Sequence, residues 1–132
     1  MGCDIEIVLE KKWKDKWVSI PLRPSINYDF KFDPEERCYS RFAKMAGVQG
    51  KGPDPKGLPK DASDYTCMLF ENIHHHSHSW LSLKKACEIY KESYDHPEEI
   101  TLEKVAEQYF GVVAWPGELR WDEYRICFAF DG

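Results

Sequence analysis

The stretch Cys3-Asp4-Ile5-Glu6-Ile7-Val8-Leu9-Glu10 decides the fold, because its side chains alternate in character. In an extended chain Cys3, Ile5, Ile7 and Leu9 fall on one face, and Asp4, Glu6, Val8 and Glu10 on the other. That period predicts a strand with one buried face. A polar turn around Lys14-Asp15-Lys16 and a second run, Trp17-Val18-Ser19-Ile20, extend it into a hairpin. At the far end of the chain Tyr124, Ile126, Phe128 and Phe130 alternate with Arg125, Cys127, Ala129 and Asp131, which predicts a strand whose aromatic face must be covered.

Helical patterns lie between these ends. Asp33-Pro34-Glu35-Glu36 reads as a helix start, followed by the stripe Cys38, Phe42, Met45 and Ala46 and a stop at Gly47. Arg37 and Arg41 sit one turn apart beside that stripe, either as paired donors to an anion or as solvent-exposed charge. A short strand is expected at 28–32, and a short helix from Asp64 to Asn72. Ser82 is placed to cap a helix carrying Leu83, Ala86, Cys87, Tyr90 and Tyr94. Thr101 is placed to cap another, with Leu102, Val105, Ala106, Tyr109 and Phe110 on one face and Gly111 as its stop. The Gly- and Pro-rich connection at 49–64 lacks the Gly-Lys-Ser/Thr ending of a phosphate loop. The expected architecture is α+β in a single domain, 1–132: a small antiparallel sheet built from the N-terminal hairpin and the C-terminal strand, with helices packed on one face.

Composition narrows the function. Apolar residues make up 42% of the 132-residue chain and aromatics 14%, enough for a core without metal or disulfides. A net charge of −5 disfavours general nucleic-acid binding. Five scattered cysteines without a Cys-x-x-Cys read as free thiols of a reducing compartment. No apolar run resembles a leader or a membrane span, so a soluble, cytoplasmic protein is expected.

The chemistry is concentrated in Ile73-His74-His75-His76-Ser77-His78-Ser79-Trp80, which holds four of the five histidines. In an extended segment His74, His76, His78 and Trp80 share one side, with His76 and His78 roughly 6.5 Å apart. That spacing suits two ligands of one metal or two donors to one phosphate. It is equally the pattern of a His-rich polar loop beside a buried tryptophan. Asp4 and Glu6 share the non-core face of the first strand, either as metal ligands or as the wet face of a sheet.

Several separated segments together resemble a family of small, uncharacterised proteins of tailed bacteriophages that begin Met-Gly-Cys-Asp-Ile-His. The segments are Met1-Gly2-Cys3-Asp4-Ile5, Arg37-Cys38-Tyr39-Ser40 with Phe42-Ala43, Gly57-Leu58-Pro59-Lys60-Asp61, His76-Ser77-His78-Ser79-Trp80-Leu81-Ser82-Leu83, and Arg125-Ile126-Cys127-Phe128-Ala129-Phe130-Asp131. The chain departs from the family pattern at Glu6, where the family has His, and at Cys38 and Ser40, where it has Asn and Asp. A metal role at position 6 survives that exchange, whereas an imidazole-donor role does not. The resemblance implies a phage accessory protein working in the cytoplasm of an infected bacterium.

Three expectations follow. In the first, the protein captures a small anionic, nucleotide-type ligand such as a signal of host immunity. His76 and His78 with Arg37 meet phosphate, Ser77 and Ser79 add hydroxyls, and Trp80 or Tyr39 stacks on the base. The helix starting near Ser82 contributes amides to the same anion. In the second, His76, His78 and Asp4 or Glu6 hold a divalent metal that activates water against a phosphoester, or the two histidines act alone as acid and base. In the third, an acidic surface inhibits a host protein.

Overall fold

The computed structural model describes residues 4–20, 35, 39–46, 55–71, 74–113 and 117–131. The strand expected at 28–32, the cap at Asp33 and Pro34, and residues Cys3, Arg37 and Cys38 lie outside them. Strands β1 (Asp4–Trp13), β2 (Lys16–Ile20), β3 (His75–Ser82) and β4 (Tyr124–Asp131) form one antiparallel sheet in the order β2-β1-β4-β3. The hairpin turns on Lys14 and Asp15, both at positive φ (48° and 67°), which matches the twist of the strands they join. The two termini pair as expected, Asp4 opposite Asp131 through Lys11 opposite Tyr124. The His segment supplies the fourth strand.

Helices α1 (Tyr39–Ala46), α3 (Leu83–Lys91) and α4 (Leu102–Phe110) cover one face. There Ile5, Ile7, Leu9, Ile126, Phe128 and Phe130 meet Phe42, Met45, Tyr90 and Phe110 in the main core. Each such fully buried side chain contributes about 1.5–3 kcal/mol. The caps are those the sequence predicts: Ser82 Oγ accepts from Lys85 N and Thr101 Oγ1 from Lys104 N. Gly111, at φ 67°, ends α4 in the left-handed conformation that favours glycine.

The expectation of helices on one face holds for α1, α3 and α4, whereas α2 (Asp64–Leu69) lies over the other. There Val8, Cys127 and Ala129 pack under Phe70, with Leu58, Leu69 and Trp80 around them. This face is therefore not simply wet, and it buries an ion pair. Glu10 is fully buried and Arg125 is 5% exposed. Arg125 Nε donates to Glu10 Oε1 at 2.7 Å and Nη1 to Asp61 Oδ1 at 2.9 Å, with the guanidinium over the Trp17 ring at 4.0 Å. Glu10 Oε2 accepts from Thr66 Oγ1 (2.6 Å) and Ser63 N (2.9 Å). No helix among the described residues is long and apolar enough to cross a membrane.

Candidate metal centre

The site begins with register. Paired residues of antiparallel strands point to the same face. Asp4 and His75 both pair with Asp131, so three strands bring Asp4, Asp131 and His75 abreast, and Glu6 stands next along β1, opposite Ala129. All lie on the face of Val8 and Ala129, away from the main core.

The donor atoms of Glu6, His75 and Asp131 lie within 4.8 Å of one another. His75 Nε2 is 3.1 Å from Glu6 Oε2, with the imidazole side chain 4% exposed and the carboxylate 37%. That approach is short, yet neither ring nitrogen of His75 has a hydrogen-bond partner. The two groups are close without being aligned to share a proton. Two ligands held about 2.1 Å from one ion, at roughly 90–109°, stand about 3.0–3.4 Å apart. The observed 3.1 Å falls in that interval. The ring is fixed edge-on against Phe70, with centroids 5.4 Å apart. A buried imidazole offering a lone pair beside two reachable carboxylates is a nitrogen–oxygen donor set for a divalent metal.

The structure separates the histidines expected to act together. His76 pairs with Phe130 and Ser79 with Phe128, so Ser77 and His78 together oppose the single residue between them, Ala129. This is a β-bulge, and Ser77 at φ 55° occupies the left-handed position where glycine is usual. The extra residue breaks the alternation assumed from the sequence. His76 stays on the main-core side, its ring 6.1 Å from Phe130 and Nδ1 3.0 Å from Ser77 Oγ. His78 turns to the other face, with Nε2 3.1 Å from Phe70 O and its ring 6.4 Å from His75. The pair that shares a face is thus His75 with His78, not His76 with His78.

The remaining expected residues fall as follows. Ser79 is buried and its Oγ accepts from Lys56 N at 3.1 Å. Trp80 carries the Lys56 ammonium over its ring at 3.7 Å, so a cation occupies the surface proposed for a base. Burial holds the Lys56 ammonium below its ordinary pKa. The Lys85 amide at the start of α3 is taken by Ser82. Tyr39 begins α1, and its side chain, like Arg37, lies outside the described residues. Asp4 shares the face of Glu6, as the alternation predicts, and stands opposite Asp131. The sequence does not single out His75 and Asp131 as candidate ligands. Asp131 was findable, since pairing the two terminal strands puts it next to Asp4; the choice of His75 depends on a bulge that a serine does not announce. Compared with family models, with curated proteins and with solved structures, the chain gives no match.

Proposed function

We propose that Glu6, His75 and Asp131 hold one divalent transition-metal ion, and that its open positions bind a small anionic ligand and activate water against a phosphoester. The single observation behind this reading is the buried His75 ring, unpaired at both nitrogens and 3.1 Å from a carboxylate oxygen out of hydrogen-bond alignment. One imidazole and two carboxylates suit zinc, manganese or iron better than copper(I), which prefers sulfur. Three protein ligands leave room for water, whose pKa a metal lowers toward neutrality. The anionic ligand first expected at His76 and His78 then meets the metal instead. The resemblance to phage proteins with His in place of Glu6 fits, because both residue types ligate metals. It also favours a nucleotide-type signal of the host as the ligand.

Elemental analysis and titration calorimetry with zinc and manganese test the metal. A stoichiometric ion is expected, with affinity falling at least about 100-fold in His75→Ala, beyond the range for losing an outer-shell partner. Equal binding by His75→Ala and the parent, or no stoichiometric metal, sinks the proposal. Hydrolysis of bis(p-nitrophenyl) phosphate by the metal-loaded protein is expected and should stop on chelation. Metal binding without turnover removes the hydrolytic half alone.

A further inference from the structure

A second feature, on the opposite side of the sheet, concerns Arg41. The sequence leaves it either as an anion donor or as exposed charge on α1, and exposure is ruled out: Arg41 is 6% exposed. Its helix packs into the main core, with Phe42 edge-on to Phe130 at 5.8 Å. The guanidinium lies over the rings of Tyr90 at 4.3 Å and Tyr109 at 5.2 Å. Nη2 donates to Ser93 Oγ at 3.0 Å and approaches Tyr109 Oη at 3.4 Å. Nε and Nη1 have no hydrogen-bond partner, which leaves three of the five N–H donors of a guanidinium unmet.

Burying a charge in this way is costly unless something answers it. The Tyr90 and Tyr94 phenols carry no compensating charge at neutral pH. Burial pushes the Tyr90 hydroxyl far up, and that of Tyr94 up to about 12. Lys44, one turn on, is matched by Glu92, while Arg41 touches hydroxyls and aromatic faces; the Glu35 carboxylate, which acts on Tyr90, accepts from Ile7 N at 2.9 Å. Ser93, two residues past α3, is exposed, so the Nη2 end of the guanidinium lies nearest the surface, and Ser93 Oγ in turn donates to Tyr90 O at 2.6 Å. A planar fork of donors with hydroxyls beside it is the arrangement that binds carboxylate and phosphate groups.

We propose that Arg41, held at Nη2 by the hydroxyls of Ser93 and Tyr109, forms a binding site for an oxoanion group of a small ligand, separate from the metal centre. The shared chemistry is an oxygen that accepts from the unpartnered Nη1–H or Nε–H of the guanidinium, whether it belongs to a phosphoryl or a carboxylate group.

The test is thermal unfolding of the full chain in chelator, so that anions cannot act through a metal, at constant ionic strength with chloride replaced by phosphate or by acetate. Phosphate also stabilises proteins by exclusion from their surface, without saturating. The expected result is therefore a saturable rise in Tm that depends on Arg41. Arg41→Lys, which keeps the charge but loses the fork, should weaken the apparent affinity at least ten-fold. Ser93→Ala, which removes one exposed hydroxyl, should weaken it a few-fold with the fold intact. Saturation by phosphate alone identifies a phosphoryl ligand, by acetate alone a carboxylate, and by both a general oxoanion site. The proposal is overturned if neither anion gives a saturable shift, or if Arg41→Lys and Ser93→Ala respond like the parent. Calorimetry with zinc on the same Ser93→Ala variant should be unchanged, so failure here and failure of the metal reading are told apart.

Discussion

Two polar clusters share one face of the sheet, four residues apart along β1, and they are built in opposite ways. At Glu10 every oxygen is answered: Oε1 by Arg125 and Cys127, Oε2 by Thr66 and Ser63. At Glu6 the neighbouring imidazole is buried, with Nε2 3.1 Å from the carboxylate and no hydrogen-bond partner at either nitrogen. A cluster that closes on itself holds the α2 segment to the sheet. One with an imidazole lacking hydrogen bonds beside reachable carboxylates is the place proposed for a metal ion. The same strands thus carry a structural device at one end and a candidate site at the other.

The closed end is tested by removing one partner of its ion pair. Arg125→Met leaves the Glu10 carboxylate buried and unpaired, and a loss of about 3–5 kcal/mol is expected in urea unfolding. Replacing both, Glu10→Met with Arg125→Met, should recover much of it, because apolar packing then substitutes for a matched pair. A loss below about 1 kcal/mol in the single variant would place the pair among ordinary surface ion pairs and remove the contrast. Acid probes the same end. Burial alone raises the Glu10 carboxyl, but hydrogen bonds from Thr66, Ser63 and Arg125 outweigh it and hold it below its ordinary 4.5. A depressed carboxyl contributes stability that is fully present above its unfolded pKa and lost as pH falls through the folded one. Stability of the parent should therefore drop below about pH 4.5, and Glu10→Gln should flatten that drop; a parent and variant with parallel pH profiles would count against it.

The open end should respond to metal instead. An ion at a hundred-fold excess over its Kd stabilises the parent by about 2.7 kcal/mol through mass action. His75→Leu should abolish that gain while leaving metal-free stability unchanged or higher, since removing unpaired buried polar atoms in favour of an apolar shape is nearly neutral or stabilising. Arg125→Met, though far less stable, should keep the full metal response. If His75→Leu still gains stability from zinc, the open end is not the metal's place.

Much of the framework was legible because alternation is a local signal. The hairpin, the C-terminal strand and the caps at Ser82 and Thr101 each follow from neighbours within a few residues. The covered second face was not, because nothing within β1 tells that Thr66 and Ser63, more than fifty positions on, will answer Glu10. The site was half legible. The face that Glu6 shares with Asp4 follows from the period of β1, but one inserted residue in β3 puts His75 instead of His76 beside it.

That inserted residue sets the smallest effect. Ser77 sits at φ 55°, where a side chain with a Cβ costs about 1–2 kcal/mol. Ser77→Gly relieves this, partly offset by about 0.4–1 kcal/mol of added freedom in the unfolded chain, for a net gain near 0.5 kcal/mol. Ser77→Val, β-branched at the same φ, should lose about 1 kcal/mol or more. Neither should move metal affinity by more than about two-fold, which is roughly 0.4 kcal/mol, because His75 stays opposite Asp131 as long as Ser79 stays opposite Phe128. Deleting Ser77 is the stricter version. It removes the residue that doubles up against Ala129 and leaves both pairings intact, so His75 and His78 become alternate residues of a regular strand on the same face. Retained metal binding in the deletion would show that register, not the bulge itself, positions the imidazole; a folded deletion that no longer binds metal would mean that the strain at Ser77 aims the ring.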